Sequence, residues 1–273
     1  MFSTCLENVR ARTPLVHSIT NYVTVNDVAN ILLACGGSPI MSDDIGEAEE
    51  IATICGGVNI NIGTLSQRTI PAMFAAGKRA NALSRPVLLD PVGAGASALR
   101  TRTAQKLTEE VRFTAIRGNI SEIKALVAGG GSTKGVDADV ADAVTEESLD
   151  EAVAFAKAAA VRYGAIMAIT GAIDLVADAG TCYVIRNGRA EMGRITGTGC
   201  QLSGLLTAYL VANPGSALEA AAAAVAAMGL AGELGWRNMA PTDGNATYRN
   251  RIIDAIYRMN GAALEGGARY EVR

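Results

Sequence analysis

The segment Pro86-Val87-Leu88-Leu89-Asp90 carries the clearest information about the fold of this chain. Its three central apolar residues are contiguous, whereas a strand with one solvated face alternates apolar and polar residues. A contiguous apolar strand is buried on both faces, as in a parallel sheet that is covered by helices. The segment therefore predicts an α/β protein with a central, mostly parallel sheet and helices on both faces.

Strand-like and helix-like patterns alternate on either side of this segment. Val25, Val28 and Leu32 recur at helical spacing, with Thr24 as a candidate N-cap and Gly36 at the end. Further strands are predicted at 38–41, 58–62, 114–116, 166–170, 175–177 and 181–185, and further helices at 46–55, 66–83, 120–127, 202–211, 217–234 and 246–263. The last three strands leave no room for helices between them, which predicts an antiparallel edge.

Composition limits the class of protein. The 273 residues contain no break in composition that would mark a linker, so a single domain over 1–273 is expected, with a mobile excursion at 128–144. The net charge of −3, without a basic run, argues against a nucleic-acid partner. Five cysteines without a C-x-x-C pair indicate a reduced, cytoplasmic compartment. The uncharged, alanine-rich stretch 220–232 is shorter than the roughly 20 residues that cross a bilayer, so it predicts a buried helix and no membrane partner.

A glycine-rich segment, Thr196-Gly197-Thr198-Gly199-Cys200, precedes an apolar helical pattern. Because its side chains are small, successive backbone N–H groups can face one concavity at the positive end of a helix. Such a cluster stabilises the charge that builds up on a phosphoryl group during transfer. The alternative is a turn in which glycine only allows the helix to pack closely.

Two acidic residues follow predicted strands. Asp90 ends the strand at 86–90, and Glu122 follows the strand at 114–116. Ligands of open α/β sheets bind at the carboxyl ends of strands, and Mg²⁺ takes one or two carboxylates while keeping several waters. The pair therefore indicates a magnesium–nucleotide site. The alternatives are a turn residue before proline for Asp90, and a capping box with Asn119 for Glu122.

Other chemistry has weaker support in the sequence. Gly93-Ala94-Gly95-Ala96-Ser97-Ala98 fits the dinucleotide pattern G-x-G-x-x-A, but the next predicted strand does not end in an acidic residue. A P-loop is excluded, because Ala72 stands where its first glycine belongs. The single histidine, His17, leaves open a Cys–His hydrolase with Cys200 as nucleophile.

Most of the chain resembles the hydroxyethylthiazole kinase family of thiamine biosynthesis, which has a ribokinase-like fold. The resemblance extends over residues 14–23, 26–30, 36–41, 61–65, 89–95, 116–122, 169–171 and 196–200. The tetrapeptide Gly197-Thr198-Gly199-Cys200 is the most specific part, since most ribokinase-like kinases resemble one another in having aspartate at the position of Cys200. Gln201 departs from the apolar residue expected next to it.

The resemblance implies ATP-dependent phosphorylation of the hydroxyl of 4-methyl-5-(2-hydroxyethyl)thiazole. By that likeness Arg117 and Thr170 would bind ATP, and Asp90 and Glu122 would organise Mg²⁺. The substrate would be lined by Met41 and Gly197, and also by Asn21 and Val23. A homotrimer with its substrate pocket at the subunit boundaries is also implied.

The residue chemistry agrees with these roles, but each residue could also have a purely structural role. Arg117 can form a forked contact with phosphate, or an exposed ion pair. Thr170 can donate to a phosphate or simply end a strand, and Met41 can fill the core. For Cys200, the helix N-terminus lowers the thiol pKa and nearby triphosphate raises it. We therefore expect Cys200 to orient the hydroxyl while the amides of Gly197, Thr198 and Gly199 carry most of the catalysis.

Three other functions stay open at this point. A kinase for a related alcohol, such as a hydroxymethylpyrimidine, would use the same site. An ADP-forming hydrate dehydratase of the same superfamily resembles this chain in fold but has aspartate instead of Cys200. A purely binding protein would show no phosphoryl transfer to any alcohol.

Overall fold

A computed structural model describes residues 1–128 and 143–273 of the chain. The excursion predicted for 128–144 therefore lies almost entirely outside the described residues. Within the described ranges, nine strands form one sheet in the order β2-β1-β3-β4-β5-β6-β7-β8-β9. Their bounds are β1 Leu15–Ile19, β2 Ser38–Met41, β3 Gly57–Asn61, β4 Val87–Asp90, β5 Ala115–Asn119, β6 Ile166–Thr170, β7 Asp174–Ala177, β8 Cys182–Ile185 and β9 Tyr270–Val272.

The sheet has a parallel part and an antiparallel edge, as predicted. Strands β1 to β6 pair in parallel. Strands β7 and β8 continue the sheet in antiparallel pairs, and β9 adds a third antiparallel strand, with Tyr183 opposite Val272. Because the carboxyl ends of the parallel strands meet at one edge of the sheet, side chains that follow these strands gather there.

Helices cover both faces of the sheet. They are α1 Phe2–Arg12, α2 Val25–Cys35, α3 Ala48–Ile54, α4 Ile70–Ala82, α5 Ala98–Glu110, α6 Ile120–Ala128, α7 Leu149–Tyr163, α8 Thr198–Ala212, α9 Ala217–Arg237, α10 Asn245–Arg258 and α11 Gly261–Gly267. Leu88 packs in a core with α1, α2, α8, α9 and α10, whereas Leu89 packs in a second core with α3 to α7. Both residues are fully buried, which confirms that the contiguous apolar run is covered on its two faces.

Helix α9 is longer than the uncharged stretch within it. Its 21 residues are long and apolar enough to cross a membrane, but 78% of the apolar window is buried inside the protein. The prediction of a buried helix is confirmed. The helix ends at Arg237, beyond the predicted end at residue 234. A second helix differs from its prediction: the single helix expected at 246–263 is divided into α10 and α11. The backbone is extended at Met259, and Asn260 begins the new helix by accepting a hydrogen bond from the Ala263 N–H.

Candidate active site

Polar side chains cluster at the carboxyl edge of the parallel strands, around Asp90 at the end of β4. Its side chain is fully buried. Asn61, at the end of β3, donates to Oδ2 at 2.7 Å, and Ser203 on α8 donates to the same oxygen at 2.7 Å. Burial raises the pKa of Asp90, and the Arg117 guanidinium opposes this rise. Asp90 is thus the centre of a buried hydrogen-bond network, and its role is not limited to that of a turn residue before proline.

Arg117 on β5 joins Asp90 to the neighbouring strand. Its Nη1 lies 3.4 Å from Asp90 Oδ1, and its Nη2 donates to Thr170 Oγ1 at 2.8 Å. Only 12% of the Arg117 side chain is exposed, so the exposed ion pair considered for it is wrong. A Cβ at Gly199 would lie 2.5 Å from Nη1 and 2.6 Å from Nη2, so the guanidinium packs directly on the glycine backbone. Arg117 therefore lies where β5, β6 and α8 meet.

Glu122 forms the predicted capping box and has a second contact as well. Its Oε2 accepts from the Asn119 N–H and Asn119 Oδ1 accepts from the Glu122 N–H, both at 2.8 Å. Its other oxygen, Oε1, accepts from the Gly93 N–H at 2.8 Å, which ties the helix to the loop after β4. Burial, followed by the charge of Asp90, raises the pKa of Glu122 to about 7.

The two carboxylates fit the magnesium ion that the sequence indicates. Both are buried, and the charge of Asp90 raises the pKa of Glu122 by more than the charge of Arg117 lowers it. Each Glu122 oxygen accepts one backbone hydrogen bond, which leaves lone pairs for a cation. Within 1–128 and 143–273 there is no group of three or more His, Cys, Asp or Glu residues that could hold a metal. A pair of carboxylates nevertheless suits Mg²⁺, because this ion is commonly held by one or two carboxylates together with waters and phosphates.

The glycine-rich segment forms the first turn of α8. This helix begins at Thr198, earlier than predicted, so Thr198, Gly199 and Cys200 belong to the turn whose N–H groups have no partner within the helix. Gly197 is the N-cap, with φ +86°. A Cβ at this position would lie 2.9 Å from Thr24 Cβ, which supports the interpretation of close packing for Gly197. The N–H groups of the first turn still point out of the N-terminus of α8, where helices bind anions.

Cys200 lies at the centre of an amide network. Asn21 and Asn61 donate to its sulfur through Nδ2 at 3.1 and 3.2 Å. The Oδ1 of Asn21 accepts from both the N–H and the hydroxyl of Thr24. Burial and the charge of Asp90 raise the pKa of the Cys200 thiol, so the thiol is protonated near neutral pH.

His17 does not take part in this network. It shares a hydrogen bond of 2.9 Å with the backbone oxygen of Ser42, and burial lowers its pKa. The alternation along β1 places His17 on the face opposite to Val16, and Val16 packs in the same core as Cys200. The arrangement does not support the Cys–His hydrolase considered above.

Two cavities open at this edge of the sheet. The first, of about 540 Å³, is lined by Arg117, Thr170, Thr198 and Gly199, with Met192 and Met228 among the apolar residues. The second, of about 410 Å³, is lined by Met41, Ser18, Asn61 and other residues of β1 to β3 and the loops that follow. Because Asn61 lines one cavity and Gly199 the other, the Cys200 network lies between them. A chemical group that is transferred from a ligand in one cavity to a ligand in the other would pass this network.

Some predicted site residues lie outside the walls of these cavities. Gly197, Asp90, Glu122 and Cys200 line neither of the two, and Asn21, which also lines neither, donates to Asn61 in the wall of the second. The side chain of Val23 is 57% exposed. Met41 both lines the second cavity and packs against the core, so the two interpretations of this residue are compatible.

Sequence reasoning gave no chemical role to Asn61, Ser203 or Asp174. Asn61 and Ser203 hold Asp90, and Asp174 lines the first cavity and accepts from the Gly171 N–H at 2.8 Å. Burial raises the pKa of Asp174 to about 7. Asn61 could have been found, because it follows an apolar strand in the same way as Asp90.

Comparisons with known proteins agree on one family. The model of the hydroxyethylthiazole kinase family matches residues 6–261. A hydroxyethylthiazole kinase of Clostridium acetobutylicum is 60% identical over 266 residues, which cover 97% of each chain. The structure of the hydroxyethylthiazole kinase protein from Pyrococcus horikoshii is 33% identical, with a TM-score of 0.88 over 100% of this chain and 98% of the other. The pyridoxal kinase of Staphylococcus aureus in complex with ADP is 18% identical, with a TM-score of 0.62 over 95% and 98% of the two chains, and shares the fold alone.

Proposed function

Because this chain belongs to the hydroxyethylthiazole kinase family, we infer that it transfers the terminal phosphoryl group of ATP to the hydroxyl of 4-methyl-5-(2-hydroxyethyl)thiazole. It is an alcohol phosphotransferase with a ribokinase-like fold, it acts in thiamine biosynthesis, and ATP is its co-substrate. The observation that carries this conclusion is the position of the Cys200 network between two cavities, beside a helix N-terminus and a buried arginine.

The first cavity is the proposed ATP site. Arg117 and Thr170 lie at its polar end, next to the N–H groups of Thr198 and Gly199. These cationic and N–H groups suit a polyphosphate, and the apolar side chains of Val225 and Met228, which also line the cavity, suit a base. In this arrangement Arg117 orients the transferring group, and the amides at the start of α8 stabilise the charge that develops on it.

Asp90 and Glu122 are the proposed holders of Mg²⁺. When bound, the ion would neutralise negative charge on the phosphates. The role of Asp90 toward the chain itself is independent of the ion: its carboxylate orients Arg117, Asn61 and Ser203 at once. Glu122 fixes the loop after β4 through Gly93.

The second cavity is the proposed thiazole site, with Met41 as an apolar wall. Tyr22 lines this cavity although 78% of it is exposed, and the adjacent Val23 is also exposed. The homotrimer that the family resemblance implies would have its substrate pocket at the subunit boundary, where a second copy would cover the exposed Val23. Asn21 and Gly197 would then shape the pocket indirectly, through Asn61 and Thr24. We assign residues 1–273 to a single cytoplasmic kinase domain without a nucleic-acid or membrane partner.

The release of ADP, measured in a coupled assay, tests the proposed function. The purified chain would be given ATP, Mg²⁺ and one alcohol at a time: the hydroxyethylthiazole, a hydroxymethylpyrimidine and pyridoxal. We expect the highest kcat/KM for the thiazole, with an alcohol-free reaction as the background. A higher value for the pyrimidine would assign the chain to the related kinase, and ADP release with a hydrated dinucleotide but with none of these alcohols would favour the dehydratase.

Cys200→Ala is expected to keep measurable turnover, with kcat lowered about tenfold, because the thiol positions the hydroxyl and does not act as a base. The pKa of this thiol is raised, so it is neutral over the usual assay range and its removal leaves the shape of the pH–kcat profile between about pH 6 and 8 unchanged. Steady-state kinetics at several pH values check this. Complete loss of turnover with normal ADP binding, or the loss of an ionisation from the profile, would show that the thiol is essential.

A further inference from the structure

Helix α9 has glycine instead of a larger residue at positions 229 and 232, on the face that residues 187–195 cross. A Cβ added at Gly229 would lie 2.7 Å from both the carbonyl carbon and Cβ of Asn187. A Cβ added at Gly232 would overlap Met192 Sδ and lie 2.9 Å from Met192 Cε. Alanine is favoured over glycine inside a helix. Glycine is therefore required at these two positions, because a neighbouring segment occupies the space that a side chain would fill.

The crossing segment is fixed to α9 at other points as well. Glu233 Oε1 accepts from Asn187 Nδ2 at 3.1 Å and from the Gly188 N–H at 2.9 Å. The Arg189 guanidinium lies 5.1 Å from the centre of the Trp236 ring. Because the backbone is held at Asn187 and Gly188, the Met192 side chain packs on the backbone of Gly232.

The same segment forms one wall of the first cavity. Gly188, Met192 and Gly229 all line it, together with Arg117 and Thr170. Met192 is thus placed between α9 and the cavity. Any group that displaces the thioether from α9 moves it toward the space that a ligand would fill.

We propose that Gly232 is a positioning residue for nucleotide binding: because it lacks a side chain, Met192 can pack against α9, and this packing sets the width of the ATP cavity where Met192 lines it. The proposal rests on the assignment of this cavity to ATP. Gly232 itself does not line the cavity, and it acts only through Met192.

Gly232→Ala tests the proposal directly. We expect the KM for ATP and the Kd for ADP to rise about tenfold, because a single methyl group changes the fit of an apolar pocket by roughly this factor. The KM for the thiazole and kcat at saturating ATP should stay within twofold. Steady-state kinetics and calorimetric titration with ADP give the two readouts.

A double-mutant cycle separates positioning from a general loss of structure. In a Met192→Ala background the side chain that the methyl group of Gly232→Ala would displace is gone. Adding Gly232→Ala should therefore leave the Kd for ADP within twofold of the Met192→Ala value. The matched control is Gly235→Ala on the same helix. Its Cβ would lie 3.2 Å from backbone atoms of Arg251 and Ile252 on α10, so it should lower stability without changing the KM for ATP.

Several outcomes would overturn the proposal. They are an unchanged KM for ATP in Gly232→Ala, an equal rise in both KM values, or the same effect of Gly232→Ala with and without Met192. If Gly232→Ala does not fold, Met192→Ala alone decides: weaker ADP binding supports the proposal and unchanged binding contradicts it. Because ADP binding is measured without turnover, a chain that binds ADP but phosphorylates none of the alcohols would refute the proposed function and leave this test intact.

Discussion

Arg117→Met is expected to lower kcat/KM for ATP by about 10³-fold, since removing one preorganised charge-stabilising donor costs roughly 10²–10³ and Arg117 supplies a full charge as well. The guanidinium spans Asp90 on one side and Thr170 on the other, and Gly199 packs against its plane. Methionine fills a similar volume but has neither the charge nor the forked donors. Steady-state kinetics with ATP as the varied substrate measure the loss.

The stability of this variant needs a control, because Asp90 would remain buried without its cation. Breaking a buried ion pair on one side costs about 3–5 kcal/mol. The double variant Arg117→Met/Asp90→Asn removes the uncompensated charge, so it should regain stability in chemical denaturation while remaining inactive. Loss of activity in a stable double variant assigns the effect to chemistry at the site.

Arg117→Lys distinguishes the shape of this group from its charge. Lysine keeps the charge but contacts its partners as a single point and cannot reach Asp90 and Thr170 together in forked geometry. We therefore expect it to recover less than tenfold of the activity lost in Arg117→Met. A folded Arg117→Met or Arg117→Lys variant with kcat/KM within tenfold of the original chain would remove Arg117 from the proposed ATP site.

Short-range pattern predicts the centre of the sheet well. The contiguous apolar residues of β4 and β6 and the helical spacing in α2 reflect burial that neighbouring residues determine. The carboxyl end of β4 also identifies Asp90, since the position of a ligand in an α/β sheet follows from topology.

Other elements have weak local signals. Strand β1 contains His17 and Ser18, both buried, so its apolar pattern is interrupted by polar residues whose burial only the fold explains. Helix α5, with the sequence ALRTRTAQKLTEE, is mostly polar and has a narrow buried stripe that includes Ala104 and Leu107. Strand β9 has three residues at the end of the chain and forms by pairing with β8. Each of these elements depends on partners that are distant in sequence.

Contacts within the site show the same division. The capping box of Asn119 and Glu122 is local, and spacing alone predicts it. The bond from the Gly93 N–H to Glu122 joins residues 29 positions apart, and Ser203 is 113 positions from the carboxylate that it contacts. No periodicity encodes such pairs, so the sequence can identify Asp90 as a candidate without its partners.

Gly197→Ala is expected to lower kcat about 10²-fold, because displacements on the order of 1 Å at a reacting site cost about this much. Gly197 has φ +86°, and its added Cβ would meet Thr24 Cβ at 2.9 Å. Thr24 donates twice to Asn21, which in turn donates to Cys200. A push on Thr24 therefore disturbs the Cys200 network as well as the first turn of α8. Kinetics at saturating ATP and thiazole measure the change.

Backbone strain and steric displacement can be separated with two further variants. Gly164 also has positive φ, +59°, but a Cβ there would have no atom within 4 Å among the described residues, and it caps α7 away from the site. Gly164→Ala should thus lose about 1–2 kcal/mol from left-handed strain and keep its activity. Adding Thr24→Ser to Gly197→Ala removes the Cγ2 methyl but keeps the hydroxyl bond to Asn21, so part of the lost kcat should return. A folded Gly197→Ala variant with kcat within threefold of the original would mean that phosphoryl transfer does not depend on the shape of this turn.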